Sequence, residues 1–249
     1  FEDVTTESID IVIALDISSS MLAEDLKPNR LEAAKNIASE FVSNRDNDRI
    51  GLVVYSGESF TQCPLTTDHD VLKNLFMDIR NGMIEDGTAI GNGLAMAVNR
   101  LKDSKAKSKV AILLTDGFNT AGSIPPLTAA EIAREFNVRV YTIGVGTSGK
   151  APYPFKTRFG TTQYQDMEVQ IDEPTLSGIA KTTGGTYFRA TDNKRLEEIY
   201  KEIDALEKSK IEVTRYRKKS EKYFPWAVLA FFLLTLEFVL KNTVYKSIT

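Results

Sequence analysis

The sequence predicts a doubly wound α/β fold on a mostly parallel, Rossmann-like sheet, with an apolar helix near the C-terminus. Three observations carry this. Near-continuous β-branched and apolar runs recur at Ile9–Leu15, Ile50–Tyr55, Val110–Thr115 and Val138–Val145, the pattern of strands buried on both faces. Segments with helical spacing separate them. From Phe224 to Leu240 the chain is apolar except for Thr235 and Glu237.

The first strand, IDIVIAL, is followed by a helical pattern carrying Leu31, Ala34, Ala38 and Phe41. The run at Ile50–Tyr55 is followed by Leu94, Ala97, Val98 and Leu101, and the run at Val110–Thr115 by Ala130, Ala133 and Phe136. After the fourth run, Gly146 to Gln170 reads as irregular chain with Pro152 and Pro154, longer than a usual connection. It is either a functional loop or a small insertion. The pattern resumes with a helix near Pro174–Thr182, a stop at Gly184-Gly185, a short strand at Thr186–Arg189, and a helix carrying Leu196, Ile199, Ile203 and Leu206. This divides the chain into a domain over 1–207, a basic juxtamembrane linker over 208–222, a transmembrane helix over 223–241 and a short tail over 242–249.

At about 1.5 Å per residue the apolar run is roughly 25 Å long, enough for a thin or locally adapted bilayer. Tyr223, Trp226 and Tyr245 flank it as an aromatic belt. Lys208, Lys210, Arg215, Arg217, Lys218, Lys219 and Lys222 precede it, and Lys241 and Lys246 follow, a bias that by itself puts the domain in the cytoplasm. The chain opens on Phe1 with no signal-peptide pattern, which reads as a fragment or processed product.

Composition excludes several functions. With 31 basic and 34 acidic side chains the net charge is -3, which offers no general attraction for nucleic acid. A single cysteine, Cys63, excludes an intramolecular disulfide and a multi-cysteine zinc site, and a single histidine, His69, excludes a histidine cluster.

Asp16-Ile17-Ser18-Ser19-Ser20 follows the first strand, at the carboxyl edge where open α/β sheets bind ligands. A carboxylate and two small hydroxyls form an oxygen-only set that suits a hard cation, Mg²⁺ before Zn²⁺. The same pattern also suits a turn that caps the next helix. Two companions favour the ion: Asp86-Gly87-Thr88 opens the helix of Leu94, and Thr115-Asp116-Gly117 ends the third run. Three loops thus offer Asp16, Ser18, Ser20, Thr88 and Asp116. Two aspartates around a divalent ion, with neutral hydroxyls, leave it electrophilic enough to take an outside anion.

These five residues resemble the metal-ion-dependent adhesion site of von Willebrand factor A (VWA) domains. The resemblance implies Mg²⁺ bound by the hydroxyls of Ser18, Ser20 and Thr88, with Asp16 and Asp116 acting through water and a partner's acidic side chain completing the shell. Mn²⁺ or Ca²⁺ are alternative ions. Ser19, Gly87 and Glu58, beside the site, are expected to face the partner.

The stretches MLAEDLKPNRLEAAK, GLVVYSGESFTQCPLTTD, DGTAIGNGLAMAVNRLK, KVAILLTDG, VYTIGVGTSGKAPYP and GGTYFRATD further resemble the bacterial Bat aerotolerance proteins, BatA type. That resemblance implies an inner-membrane protein with membrane helices on both sides of a periplasmic VWA domain. It also implies an assembly with other Bat proteins and a MoxR-type AAA+ ATPase. A structural scaffold, with the ion only stabilising loops, is the alternative expectation.

An enzyme is not expected. Gly144–Gly149 matches G-x-G-x-x-G, but Lys150-Ala151-Pro152-Tyr153-Pro154 opens no helix to meet a pyrophosphate. Cys63 and His69 have no evident orienting geometry, and Glu24, Asp25, Asp46 and Asp48 read as solvated carboxylates without a catalytic role.

Overall fold

The structure, a computed structural model, describes residues 8–45, 47–147, 149–156, 161–217 and 224–243. Strand β1 (Ile9–Asp16) is buried along its whole length. It pairs in parallel with β2 (Arg49–Tyr55) on one side and β4 (Ser108–Thr115) on the other. With antiparallel β3 (Ser59–Thr66), parallel β5 (Val138–Val145) and β8 (Tyr187–Ala190), these form one six-stranded sheet in the order β3-β2-β1-β4-β5-β8.

The order reverses direction between β1 and β4. After β1 the chain leaves through α1 (Arg30–Ser43) toward β2, and after β4 through α4 (Pro126–Glu135) toward β5. The two connections diverge and leave a crevice at the carboxyl ends of β1 and β4, the switch point where such sheets bind ligands.

Helices cover both faces. Val12 and Ala14 of β1 pack with Leu94, Ala97 and Leu101 of α3 (Ile90–Leu101), Ala129 and Ala133 of α4, and Leu176 and Ile179 of α5 (Glu173–Thr183). Alternation sends Ile11, Ile13 and Leu15 to the opposite face. There α1 meets α6 (Asn193–Arg217) through Phe41 and Tyr200, with ring centroids 4.8 Å apart. Asn29 caps α1 by accepting from Glu32 N at 2.8 Å.

The four apolar runs and the five helical patterns appear as expected, with Phe136 just past the end of α4. Four elements differ from the sequence reading. β3 and α2 (His69–Asp78) stand where no element was expected. The stretch expected to be irregular is an antiparallel hairpin of β6 (Gly149–Lys156) and β7 (Thr162–Val169). Its prolines are tolerated because a two-stranded ribbon has only edge strands.

Residues 1–207 form one compact unit and 208–249 a second. The expected linker over 208–222 is helical as far as Arg217, where α6 ends, and 218–223 lie outside the described residues. α7 (Phe224–Thr243) runs through the expected membrane helix into the expected tail, whose residues 244–249 lie outside the described residues.

The expected crossing of a membrane is not supported. Among the described residues no helix is long and apolar enough to cross one. The apolar run spans roughly 25 Å against a hydrocarbon core of about 30 Å, and Glu237 within it pairs with Lys241 at 3.2 Å.

Candidate metal centre

Asp16 is the last residue of β1 and is fully buried. Its Oδ1 accepts from Ser18 N at 2.9 Å, and its Oδ2 accepts from the Thr115 hydroxyl at 2.7 Å. The first bond folds the chain back at once, so Ser18 opens a 3-10 turn over Ser19–Leu22. Ile17 N donates to Tyr55 O at 2.9 Å and ties this turn to the end of β2.

Within the turn the Ser18 and Ser20 hydroxyls lie 3.0 Å apart, and Ser20 Oγ donates to Asp116 Oδ1 at 2.6 Å. Asp116 immediately follows β4 and is buried. Asp16, Ser18, Ser20 and Asp116 therefore form one connected polar network at the switch point.

Thr88 is brought to the same place by its loop. Asp86 accepts from Ser19 N at 2.9 Å and from Ser19 Oγ at 2.6 Å, which ties this loop to the first turn. On its other side Thr88 N donates to Thr120 Oγ1 at 3.0 Å, and Thr88 O accepts from Thr120 N at 3.0 Å. Thr88 thus sits buried between the loops that follow β1 and β4.

The β2–β3 turn backs this arrangement. Ser56 Oγ donates to Gly87 O at 3.0 Å, and Gly57 N donates to Glu85 O at 2.8 Å. Gly87 has φ +144°, and a Cβ on it would lie 3.1 Å from Gly57 Cα, so glycine meets both demands. Of the residues expected to face a partner, Glu58 is exposed on this turn. Ser19 and Gly87 carry the loop-to-loop bonds just described.

Four groups that sequence reasoning missed complete the site: Thr115, Asp86, Arg30 and Asp25. Arg30 Nη1 donates to Asp116 Oδ2 at 2.8 Å, and its Nε and Nη2 hold Asp25 at 2.7 and 2.6 Å. Asp25, read from the sequence as solvated, is a buried partner of this guanidinium and also accepts from Thr147 N at 2.8 Å. One signal in the sequence pointed to Arg30: a cation on the first residue of a helix opposes the helix dipole and needs an anionic partner.

The electrostatics separate the two aspartates. Burial, then the charge of Asp116, push Asp16 up to about 7 against the pull of its bonds from Ser18 and Thr115. Burial also raises Asp116, against the opposing charge and hydrogen bond of Arg30 and the bond from Ser20. Asp25 lies below its usual range, because the hydrogen bonds of Arg30 and Thr147 outweigh its burial. No cation stands among the largest influences on Asp16. A buried carboxylate without a counterion is costly, and a bound cation removes that cost.

Among the described residues no group of three or more His, Cys, Asp or Glu side chains is placed to hold a metal. A cation here would rest on two carboxylates plus hydroxyls, a donor set that suits a hard ion.

Cys63 is buried in β3 opposite Leu52, and His69 Nε2 lies 3.0 Å from Asp48 O at the start of α2, so the two do not form a nucleophile and base pair. At the glycine motif the chain enters β6 from Gly149, so no helix N-terminus follows it. Asp46 lies outside the described residues.

Residues 10–202 match the von Willebrand factor type A domain family. A protein of Borreliella burgdorferi is 31% identical over 240 residues, covering 96% of this chain and 70% of that protein. The chain spans 58% of the length of a relative from Mycolicibacterium paratuberculosis. Among solved structures, BatB from Bacteroides thetaiotaomicron is 34% identical with a TM-score of 0.69, covering 81% of this chain and all of that one. An aerotolerance-related membrane protein from Bacteroides fragilis is 31% identical with a TM-score of 0.68, covering 80% and 98%. The chain is similar to Bat aerotolerance-related proteins, and it belongs to the von Willebrand factor type A domain family.

Proposed function

We infer that the chain is a non-catalytic binding module that grips an acidic side chain of a protein partner through a divalent ion, Mg²⁺ or Mn²⁺ before Ca²⁺. Ser18, Ser20 and Thr88 would hold the ion by their hydroxyls, with Asp16 and Asp116 behind them. When bound, the ion supplies a Lewis-acidic contact for the partner's carboxylate.

The observation that carries this reading is the fully buried Asp16 carboxylate, held by Ser18 N and the Thr115 hydroxyl, beside two hydroxyls 3.0 Å apart. That spacing fits neighbouring corners of an octahedron with bonds of about 2.1 Å, as Mg²⁺ requires, better than the bonds of about 2.3–2.6 Å that Ca²⁺ takes. The alternative, an ion that only stabilises loops, is less favoured because Arg30 and the Ser19–Asp86 bonds already tie the loops together.

Calorimetric titration of Mg²⁺ into the protein tests this. Heat of binding in the native chain, and its loss in Asp16→Ala, supports the reading. Equal behaviour of the two proteins overturns it.

Attachment to a bacterial inner membrane, with the domain on the periplasmic side, is part of the same proposal. It is supported by the apolar surface of α7, where Trp226, Phe231 and Phe238 are 72%, 68% and 70% exposed, and by the name of the Bacteroides fragilis relative. The resemblance to Bat proteins extends the proposal to an assembly with other Bat proteins and a MoxR-type AAA+ ATPase.

A further inference from the structure

The β6–β7 hairpin has no part in holding the ion, yet it stands over the site. Its cross-strand pairs Ala151–Met167, Tyr153–Gln165 and Phe155–Gln163 share one face. Ala151, Tyr153 and Met167 of that face line a cavity of about 140 Å³, together with Ser20, Arg30 and Asp116. The cavity is therefore bounded on one side by the metal cluster and on the other by the hairpin.

The hairpin is tied to the turn that carries Ser20. Glu24 N donates to Pro152 O at 2.9 Å, and Tyr164 donates its hydroxyl to Glu24 Oε1 at 3.1 Å. Met167 is 47% exposed and lies diagonal to half-buried Tyr153 on that face, so an apolar patch opens at the cavity. Grouped apolar exposure beside a polar cavity marks a contact surface, where scattered single residues do not.

We propose that this hairpin reads the neighbourhood of the partner's carboxylate, and that the partner is an extended acidic segment with an apolar side chain two residues from its Asp or Glu. The inference rests on the metal-binding reading above. In extended chain, residues i and i+2 point the same way about 7 Å apart. With the acid in the cavity at Ser20, the apolar side chain falls on Met167 and Tyr153.

The test uses two labelled synthetic peptides, each with a single Asp, one carrying Leu and the other Ser two residues away. Fluorescence anisotropy measures their binding to the full chain in detergent at saturating Mg²⁺, after calorimetry has given the Mg²⁺ affinity of each protein. The Leu peptide should bind at least about tenfold more tightly, the scale on which apolar contacts discriminate. The ratio should fall to about twofold in Met167→Ser and in Tyr153→Ala. If Mg²⁺ binds but the two peptides bind equally, or neither binds, or the ratio survives both variants, the hairpin inference is overturned while the metal reading stands. If Mg²⁺ itself gives no heat, the metal reading fails and the inference falls with it.

Discussion

Arg30 Nη1 lies 2.8 Å from Asp116 Oδ2 with both side chains buried, and the same guanidinium holds Asp25. One cation thus serves two buried carboxylates, joining the start of α1 to the loop after β4. Arg30→Met leaves both carboxylates buried and unpaired, for which a loss of about 3–5 kcal/mol is expected. Denaturant unfolding measures it, and a loss below about 1 kcal/mol would mean that the pairs contribute little.

Gly57 places the Thr88 loop by close approach, since a Cβ on it would lie 2.8 Å from Glu85 O and 3.1 Å from Asp86 O. Both contacts are backbone, so relief requires the loop to move. Gly57→Ala should weaken Mg²⁺ binding about tenfold or more, as disturbance of supporting groups does at metal sites. Calorimetry on the folded variant checks this, and an unchanged affinity would separate the turn from the site.

Binding to the native state alone raises stability by about 2.7 kcal/mol when the ligand is at a hundred times its Kd. Excess Mg²⁺ should therefore raise the melting temperature of the native chain above its value in EDTA. In Thr88→Ala that difference should disappear while the melting temperature in EDTA changes little. A Mg²⁺ shift of the same size in both proteins would remove Thr88 from the site.

Glu207 lies under the sheet, accepting from Ser108 Oγ at 2.7 Å and from Tyr141 and Arg139. Burial alone would raise its pKa, but the bonds from Tyr141 and Ser108 and the charge of Arg139 bring it below its ordinary 4.5. A depressed carboxylate stabilises the fold above its unfolded pKa and loses that contribution as pH falls through the folded value. Glu207→Gln should cost about 2 kcal/mol at pH 7, the scale of hydrogen bonds to a charged group. The difference from the native chain should shrink steadily below about pH 4.5 in urea unfolding. A penalty independent of pH would assign the effect to packing.

Leu234 is exposed on α7 amid other apolar side chains. If α7 enters a bilayer, a carboxylate at Leu234 costs about 3 kcal/mol, or roughly a hundredfold in partitioning. Leu234→Asp should release the full chain from phosphatidylglycerol-containing vesicles in a flotation assay. Equal flotation of the two proteins would argue against insertion of this helix.

The buried parallel strands were legible because a strand covered on both faces is apolar without interruption, as at Ile9–Leu15 and Val110–Thr115. Asp16, Ser18 and Ser20 were legible because they lie within one turn, and Asp116 because it ends a strand that local pattern alone identifies. β3 was not: Ser59–Thr66 mixes polar residues with Pro64, which only an antiparallel edge tolerates. The hairpin escaped for the same reason, with Pro152 and Pro154 opposite Asp166 and Tyr164.

Local order along the chain thus determined the sheet, the helices that wind around it and the identity of the oxygen-bearing loops, since periodicity and turn chemistry act over a few residues. Tertiary structure alone decided that Arg30 neutralises Asp116, that Asp86 ties Ser19 to the Thr88 loop, and that the hairpin overhangs the cluster. Those contacts join residues far apart in sequence. Their energy comes from burial and from proximity between charges, which no local pattern records.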